Sequence, residues 1–408
     1  MNSNSYSEFK FEKAVAGRHT FAIMKLYQEN HRITGKNEIF YDVTLLEQQL
    51  NHPSQAWLVM SQLNEIVGFM QVLYDAPQSL AKLATLCTNS NPESNSFLEN
   101  TTHLLQGFIT NQVLFEIQAL EVMYITTTSL TLPQMQSAHP LGFHPVGAFP
   151  GCITQDVFKI NGIAAYYKSG VLESQRYHRF SLHSAAQPLF EVVKDYLPLE
   201  STLSLREPLG SDPVAQVHRP LRCPDLEFIN APHFVKNLFE VTKQNSPSLT
   251  SSFYPFHIPN VLICDPKQQV NVFVLFNKED KFATIIGEKF LNNFDLKDVY
   301  LKVTEMLYKL GAQFIELVND AADREAIESA YFSGFVPCCY FPGLKKVGNS
   351  RRDTIVQARS FERPFWVSGN LFPGFQKFAN CFESLHKEWV RLDPLLGDEA
   401  LNKGVKIT

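Results

Sequence analysis

Two carboxylates stand inside apolar runs where charge is uncommon: Glu121 between Leu120 and Val122, and Glu316 between Ile315 and Leu317. Both runs have the composition of a buried strand, and Tyr124 lies just beyond the first carboxylate. A carboxylate held there can take a proton from an ammonium group, directly or through a water it orients. The other reading is a residue on the outward face of an alternating strand. His139 and His144 flank a Gly-Phe pair, and Lys345, Lys346, Arg351 and Arg352 form a basic cluster. The cluster suits either an anionic ligand or an ordinary wet surface, and Asp353 is placed to pair with Arg352. The adjacent Cys338 and Cys339 read as two half-buried residues on opposite faces of a strand. No Ser/His/Asp order, G-x-x-x-x-G-K or H-E-x-x-H occurs, which leaves triad hydrolysis, P-loop chemistry and zinc proteolysis without a signature.

The elements that must position these groups are organised by a repeat. Residues 142–151 and 334–343 share the frame G-F-x-P-x-x-x-F-P-G. So wide a separation indicates a repeated domain and not a solenoid unit. A chain of 408 residues exceeds what one core usually fills. The reading is two domains, 1–215 and 216–408, joined by a linker in which six prolines fall between Pro198 and Pro232. A net charge of −5 gives no broad basic field, which argues against a nucleic-acid partner. No apolar run is long enough to span a membrane, and the polar start Met1-Asn2-Ser3 shows no secretory signal. Seven dispersed cysteines without C-x-x-C read as reduced thiols of a cytoplasmic protein, with no disulfide frame and no metal site. The oligomeric state is not legible.

Periodicity gives both halves one order: helix, hairpin, strand, helix, strand, helix, strand. In the first half the hairpin turns at Gln62–Glu65, and Ser96 with Glu99 reads as a capping box opening a helix to about Gln112. In the second half a hairpin surrounds Asp265-Pro266-Lys267, and Asp295 opens the long helix. Phe375 to Val390 forms an amphipathic tail helix. The fold class is mixed α/β, each domain a twisted mixed sheet flanked by helices.

This order, with a helix running into Leu141-Gly142-Phe143 and Ser333-Gly334-Phe335, resembles the GNAT superfamily of N-acetyltransferases over about residues 8–151 and 225–360. The resemblance implies direct acyl transfer from acetyl-coenzyme A, or another acyl-coenzyme A, to an amine of a small molecule or protein. It also implies that the fourth and fifth strands splay apart and hold the pantetheine arm between them. The cofactor positions are then Leu86, Cys87, Thr88, Ser94, Asn95 and Ser96 in the first domain, and Ile285, Ile286 and Gly287 in the second. The catalytic candidates are Glu121, Tyr124, His139, Glu316 and Tyr331, with the first domain the likelier active one. The family's tyrosine stands four residues before the glycine, where this chain has Ala138 and Ala330; His139 and Tyr331 stand one residue later. The family's glycine-bearing pyrophosphate loop is replaced by residues 89–96 and 288–295, neither containing glycine. That departure keeps a second expectation open: a non-catalytic tandem protein that binds a ligand or partner.

Overall fold

The computed structural model describes residues 9–30, 37–89, 95–110, 120–126, 132–154, 157–199, 223–245, 249, 256–291, 294–361 and 371–390. By contact the chain separates into two compact units, Met1–Pro145 with Ile163–Val171, and Val146–Gly162 with Leu172–Thr408. The expected boundary at 215/216 lies outside the described residues, and the units do not follow it. The strand at Gly147 pairs with Cys339, and the helix at 187–194 packs on the strand carrying Cys339, so both segments belong to the second unit.

The elements in chain order are β1 (Lys10–Lys13), α1 (Thr20–Asn30), α2 (Val43–Leu50), β2 (Gln55–Gln62), β3 (Glu65–Asp75), β4 (Leu80–Thr88), α3 (Asn95–Thr110), β5 (Val122–Thr126) and α4 (Leu132–Ala138). There follow β6 (His144–Thr154), β7 (Val157–Tyr167), α5 (Val171–Gln175) and α6 (Gln187–Lys194). The remainder is β8 (Glu227–Asn230), α7 (Pro232–Asn245), β9 (Val261–Cys264), β10 (Val270–Asn277), β11 (Phe282–Phe290), α8 (Leu296–Lys309), β12 (Phe314–Asp320), α9 (Arg324–Phe332), β13 (Val336–Val347), β14 (Ser350–Ser360) and α10 (Pro373–Val390). Strand neighbours in the first unit run β1-β2-β3-β4-β5-β7, and in the second β8-β9-β10-β11-β12-β14-β13-β6. β4 with β5 and β11 with β12 pair in parallel, whereas β2–β3, β10–β11 and β13–β14 are antiparallel hairpins. The sheets are therefore mixed, as the periodicity indicates.

Local chemistry explains the turns. Leu63 and Asn64 both take positive φ, 52° and 67°, which is how a two-residue hairpin matches the twist of its strands. The repeated Gly-Phe is a helix stop. After α9, the Gly334 N–H donates to the Tyr331 carbonyl and the Phe335 N–H to the Ala330 carbonyl, both at 3.0 Å. The same two bonds join Gly142 to His139 at 3.0 Å and Phe143 to Ala138 at 3.3 Å. This is a Schellman cap, and it needs left-handed backbone at its glycine. Gly142 (φ 94°) and Gly334 (φ 88°) supply it, and the phenylalanine that follows each is fully buried.

The helix starts differ from expectation. α3 begins at Asn95, so Ser96 lies inside the first turn and is not its cap, while Glu99 sits 3.8 Å from His103 Nε2. Asp295 does occupy the cap position of α8, but its side chain makes no cap hydrogen bond.

Candidate functional site

The site is built where the parallel strands part. β4 pairs with β5 only through Leu80↔Val122, Ala81↔Met123 and Lys82↔Tyr124. β11 pairs with β12 only through Phe282↔Phe314, Ala283↔Ile315 and Thr284↔Glu316. On the other side, β5 stays paired with β7 through Thr126, and β12 with β14 through Asp320. Each parallel pair thus opens after three residues while the outer ladders continue.

A bulge accompanies each opening. Ala84 is the extra residue of β4 against β3, where Gln71 faces Thr85 and Val72 faces Leu83. Ile286 is the extra residue of β11 against β10, between Gly287 opposite Phe273 and Ile285 opposite Val274. A bulge bends its strand and raises the local twist, which turns β4 and β11 away from their parallel neighbours. Beyond the bulge, each strand's edge toward the gap carries main-chain groups outside the β4–β5 and β11–β12 ladders. These can bond an extended ligand in the manner of an added strand.

The positions expected to hold a cofactor lie largely in the strand ends beside the openings. Leu86, Cys87 and Thr88 are buried at the end of β4. Cys87 joins the core packed against α1, its Sγ donates to the Leu26 carbonyl at 3.7 Å, and burial pushes its thiol up to about 12. It is therefore no nucleophile. The Thr88 hydroxyl is shielded from solvent without a hydrogen-bond partner. Ser94 lies outside the described residues, Asn95 opens α3, and Ser96 is exposed. In the second unit, Ile285 packs into the core that includes α8 residues Val299 and Tyr300, and Ile286 into the core with Val235 and Phe239 of α7.

The catalytic candidates separate. Glu121 is not in β5; it precedes the strand, its N–H bonded to the Ser79 carbonyl and its carbonyl to the Lys168 N–H. That is the end where β4 and β5 are still paired, before the opening. Tyr124 stands at the last pair before the opening, fully buried. Burial, reinforced by Asp75, holds its phenol well above the ordinary value, so it stays protonated. Glu316 takes the corresponding place in the second unit, 2 % exposed. Burial first, then the nearby Glu316 charge, pushes the Cys339 thiol far up.

His139 begins a 3-10 turn immediately after α4, its Nδ1 lying 3.1 Å from the Phe143 carbonyl oxygen and its ring edge-on to His144 at 5.5 Å. Tyr331 remains inside α9 and packs against His183, ring centroids 6.0 Å apart. The two residues therefore leave their helices differently, although they precede the glycine by the same number of positions.

The basic cluster resolves into separate roles. Arg351 is fully buried and donates from Nη1 to the Gly343 and Leu344 carbonyls at 3.0 and 3.1 Å. Arg352 lies over the Tyr177 ring and 3.3 Å from Asp320. Asp353 pairs with Arg176 instead of Arg352, at 2.6 Å, and also accepts from Tyr340 Oη and the Gly343 N–H. Cys338 is the extra residue of a bulge in β13, and both it and Cys339 are wholly buried instead of half-buried.

One pair is not legible in the spacing of the sequence. Glu288, two residues beyond the bulge of β11, accepts a hydrogen bond from Tyr300 Oη of α8 at 2.7 Å. Its second oxygen is shielded without a partner, and burial lifts the carboxyl to about 7. The signal available in sequence was a glutamate at the end of an apolar strand; its partner lies a helix turn into the next element. Among the described residues no group of three or more His, Cys, Asp or Glu is placed to hold a metal ion, and no helix is long and apolar enough to cross a membrane.

No protein-family model matches the chain, and no curated protein matches it by sequence. Solved structures do align. The aminoglycoside 6′-acetyltransferase type Ii aligns with 39 % of this chain and 96 % of its own, at 16 % identity and a TM-score of 0.30. The ribosomal-protein-S18-alanine N-acetyltransferase from Escherichia coli aligns with 42 % of this chain and all of its own, at 12 % identity and 0.33. The SpeG spermidine N-acetyltransferase from Vibrio cholerae (a F149G mutant) gives 40 %, 94 %, 13 % and 0.31 in the same order. Its strand order, two parting parallel pairs and Gly-Phe helix stops give the chain a mixed α/β fold with the features that the resemblance to the GNAT superfamily implies.

Proposed function

We propose that the protein is an acyl-coenzyme A-dependent N-acyltransferase, carrying acetyl or another acyl group to an amine of a small molecule or protein. The observation that supports this most is the parting of each parallel pair after three residues, beside a bulge. It leaves a strand edge on which a pantetheine arm can lie, its amides bonded to main-chain groups. The thioester then sits near the last paired residues. The acceptor amine, once it has lost a proton, attacks the thioester carbonyl; the C–N bond forms, the C–S bond breaks, and the departing thiolate takes up a proton. Tyr124, buried and protonated at the mouth of the first opening, is the donor for that proton, and the first unit is the working one. The described cysteines are free thiols, which suits a reducing compartment such as the cytoplasm. The two units are read as descendants of one repeated domain.

A second reading, a binding protein without catalysis, is favoured by the glycine-free segments after β4 and β11. Thermal shift separates the two at the first step. A ligand that binds only the native state, at a hundred times its dissociation constant, adds about 2.7 kcal/mol. The acyltransferase reading expects stabilisation by acetyl- or longer acyl-coenzyme A, and release of free thiol when a suitable amine is added. Absence of any shift across acyl lengths sinks it.

A further inference from the structure

The two openings are alike in backbone and unlike in charge. Two residues past its bulge, β4 carries Leu86, whereas β11 carries Glu288. In the helix above, Thr101 of α3 stands where α8 has Tyr300: buried Leu104 and Phe108 follow Thr101 at the spacing with which Val303 and Leu307 follow Tyr300. The second unit thus has a Glu–Tyr pair where the first has an aliphatic residue and a small hydroxyl.

Its position matters for any anionic ligand. The Glu288 side chain lies between the end of β11 and the second turn of α8, joined to Tyr300 at 2.7 Å. α8 starts without a side-chain cap bond, so its first N–H groups would draw an anion toward that end. The carboxyl of Glu288 works against this, with one oxygen shielded and lacking a hydrogen-bond partner. The other ionisable groups acting on it are Tyr300 itself and Asp323 at the start of α9. The first turn of α8 adds buried Asp298, while the ammonium of Lys297 lies over the Phe332 ring at 5.7 Å.

We propose that Glu288 decides donor occupancy in the second unit: ionised, it excludes the diphosphate of an acyl-coenzyme A, so the chain binds one donor molecule, in the first unit. The proposal rests on the acyltransferase reading above and says which opening the donor uses. Burial holds the Glu288 carboxyl near 7, so exclusion is complete at alkaline pH and relaxes in mild acid. If donor binding needs the protonated carboxyl, affinity in the second unit falls about tenfold per pH unit above that point.

The test is calorimetric titration of the full chain with coenzyme A and acetyl-coenzyme A. At pH 8.5 the expected result is one site per chain for the wild type and two for Glu288→Gln, which keeps the shape and the Tyr300 bond but cannot ionise. At pH 6 the wild type should itself show a second, weaker site, a measurement that needs no variant. Two sites in the wild type at pH 8.5 overturn the proposal, as does one site in a folded Glu288→Gln protein. Absence of binding under every condition sinks the acyltransferase reading and this inference with it, which is a distinct result.

Discussion

The first and second units repeat their backbone and not their side chains. Both stop a helix with a Gly-Phe Schellman cap, bulge the strand before the long helix at its fifth residue, and release the parallel partner after three pairs. Over that common frame, Tyr124 answers to Glu316, Leu86 to Glu288 and His139 to Tyr331. Gly147 and Cys339, at the same separation as the two Gly-Phe stops, meet each other in the second unit, where a Cβ on Gly147 would lie 2.3 Å from that of Cys339. The difference shows which positions the fold dictates. Those that set φ, Gly142 and Gly334, are glycine in both units, whereas the close approach at Gly147 is matched by Cys339. Side chains beside the openings differ between the units, as Tyr124 and Glu316 do.

The largest expected effect tests a feature of the second unit that the first lacks. Arg176 and Asp353 form an ion pair at 2.6 Å, their side chains 3 % and 0 % exposed, and Tyr340 also bonds to Asp353. At the separation of the two Gly-Phe stops, Ala148, itself part of the second unit, stands in place of Tyr340. Removing one partner of a buried pair strands the other's charge and costs about 3–5 kcal/mol. Arg176→Ala should lower the stability of the second unit by that amount, read by hydrogen exchange in β13 and β14. Adding Asp353→Asn should recover part of the loss, because the stranded charge is then gone. A loss below about 1 kcal/mol would mean the pair is only as strong as a surface one.

Next comes the sign of the Glu288 effect on stability. Burial raises its folded-state carboxyl to about 7 from an ordinary value of 4.5. The unfolded chain therefore ionises first as pH rises, so the group costs the native state stability above 4.5, increasingly up to about 7. Glu288→Gln should stabilise the second unit at pH 8, by roughly 1–3 kcal/mol, the cost of a buried group left short of a partner. The gain should vanish near pH 4.5. A Leu86→Gln change in the first unit should do the reverse, destabilising at both pH values alike. Equal behaviour of the two variants would break the contrast between the openings.

How much of this was legible follows from the range of the interactions. The hairpin at Leu63-Asn64 and the Gly-Phe stops are local, set by residues within one turn, and the sequence pattern locates them. The parting strands were implied by resemblance and are visible in the register. Glu121 falls outside the strand its spacing suggests, because one residue of shift carries a group out of a strand and to its closed end. Ser96 lies in the first turn and not at the cap, and a capping box and a first-turn serine look alike until the helix start is known. Glu288–Tyr300 and Arg176–Asp353 needed contacts between separate elements, which spacing along the chain does not encode.

The smallest effect compares the two helix stops directly. Gly142→Ala and Gly334→Ala both force a Cβ into left-handed backbone, at about 1–2 kcal/mol each. The surroundings differ. A Cβ at Gly142 would meet only the Tyr166 ring, at 3.4 Å, an ordinary contact, whereas at Gly334 it would crowd the Arg359 guanidinium at 3.2 Å. That guanidinium also bonds to the Ser333 carbonyl, within the cap itself, so moving aside disturbs the helix end. Gly334→Ala should therefore be the more costly by a few tenths of a kcal/mol up to about 1, the range for forcing a side chain off its rotamer. Denaturant midpoints of the two variants, followed by hydrogen exchange at Phe143 and Phe335, give the comparison. Equal losses would show that backbone strain alone sets the cost; a larger loss at Gly142 would mean the two stops are not held in the same way.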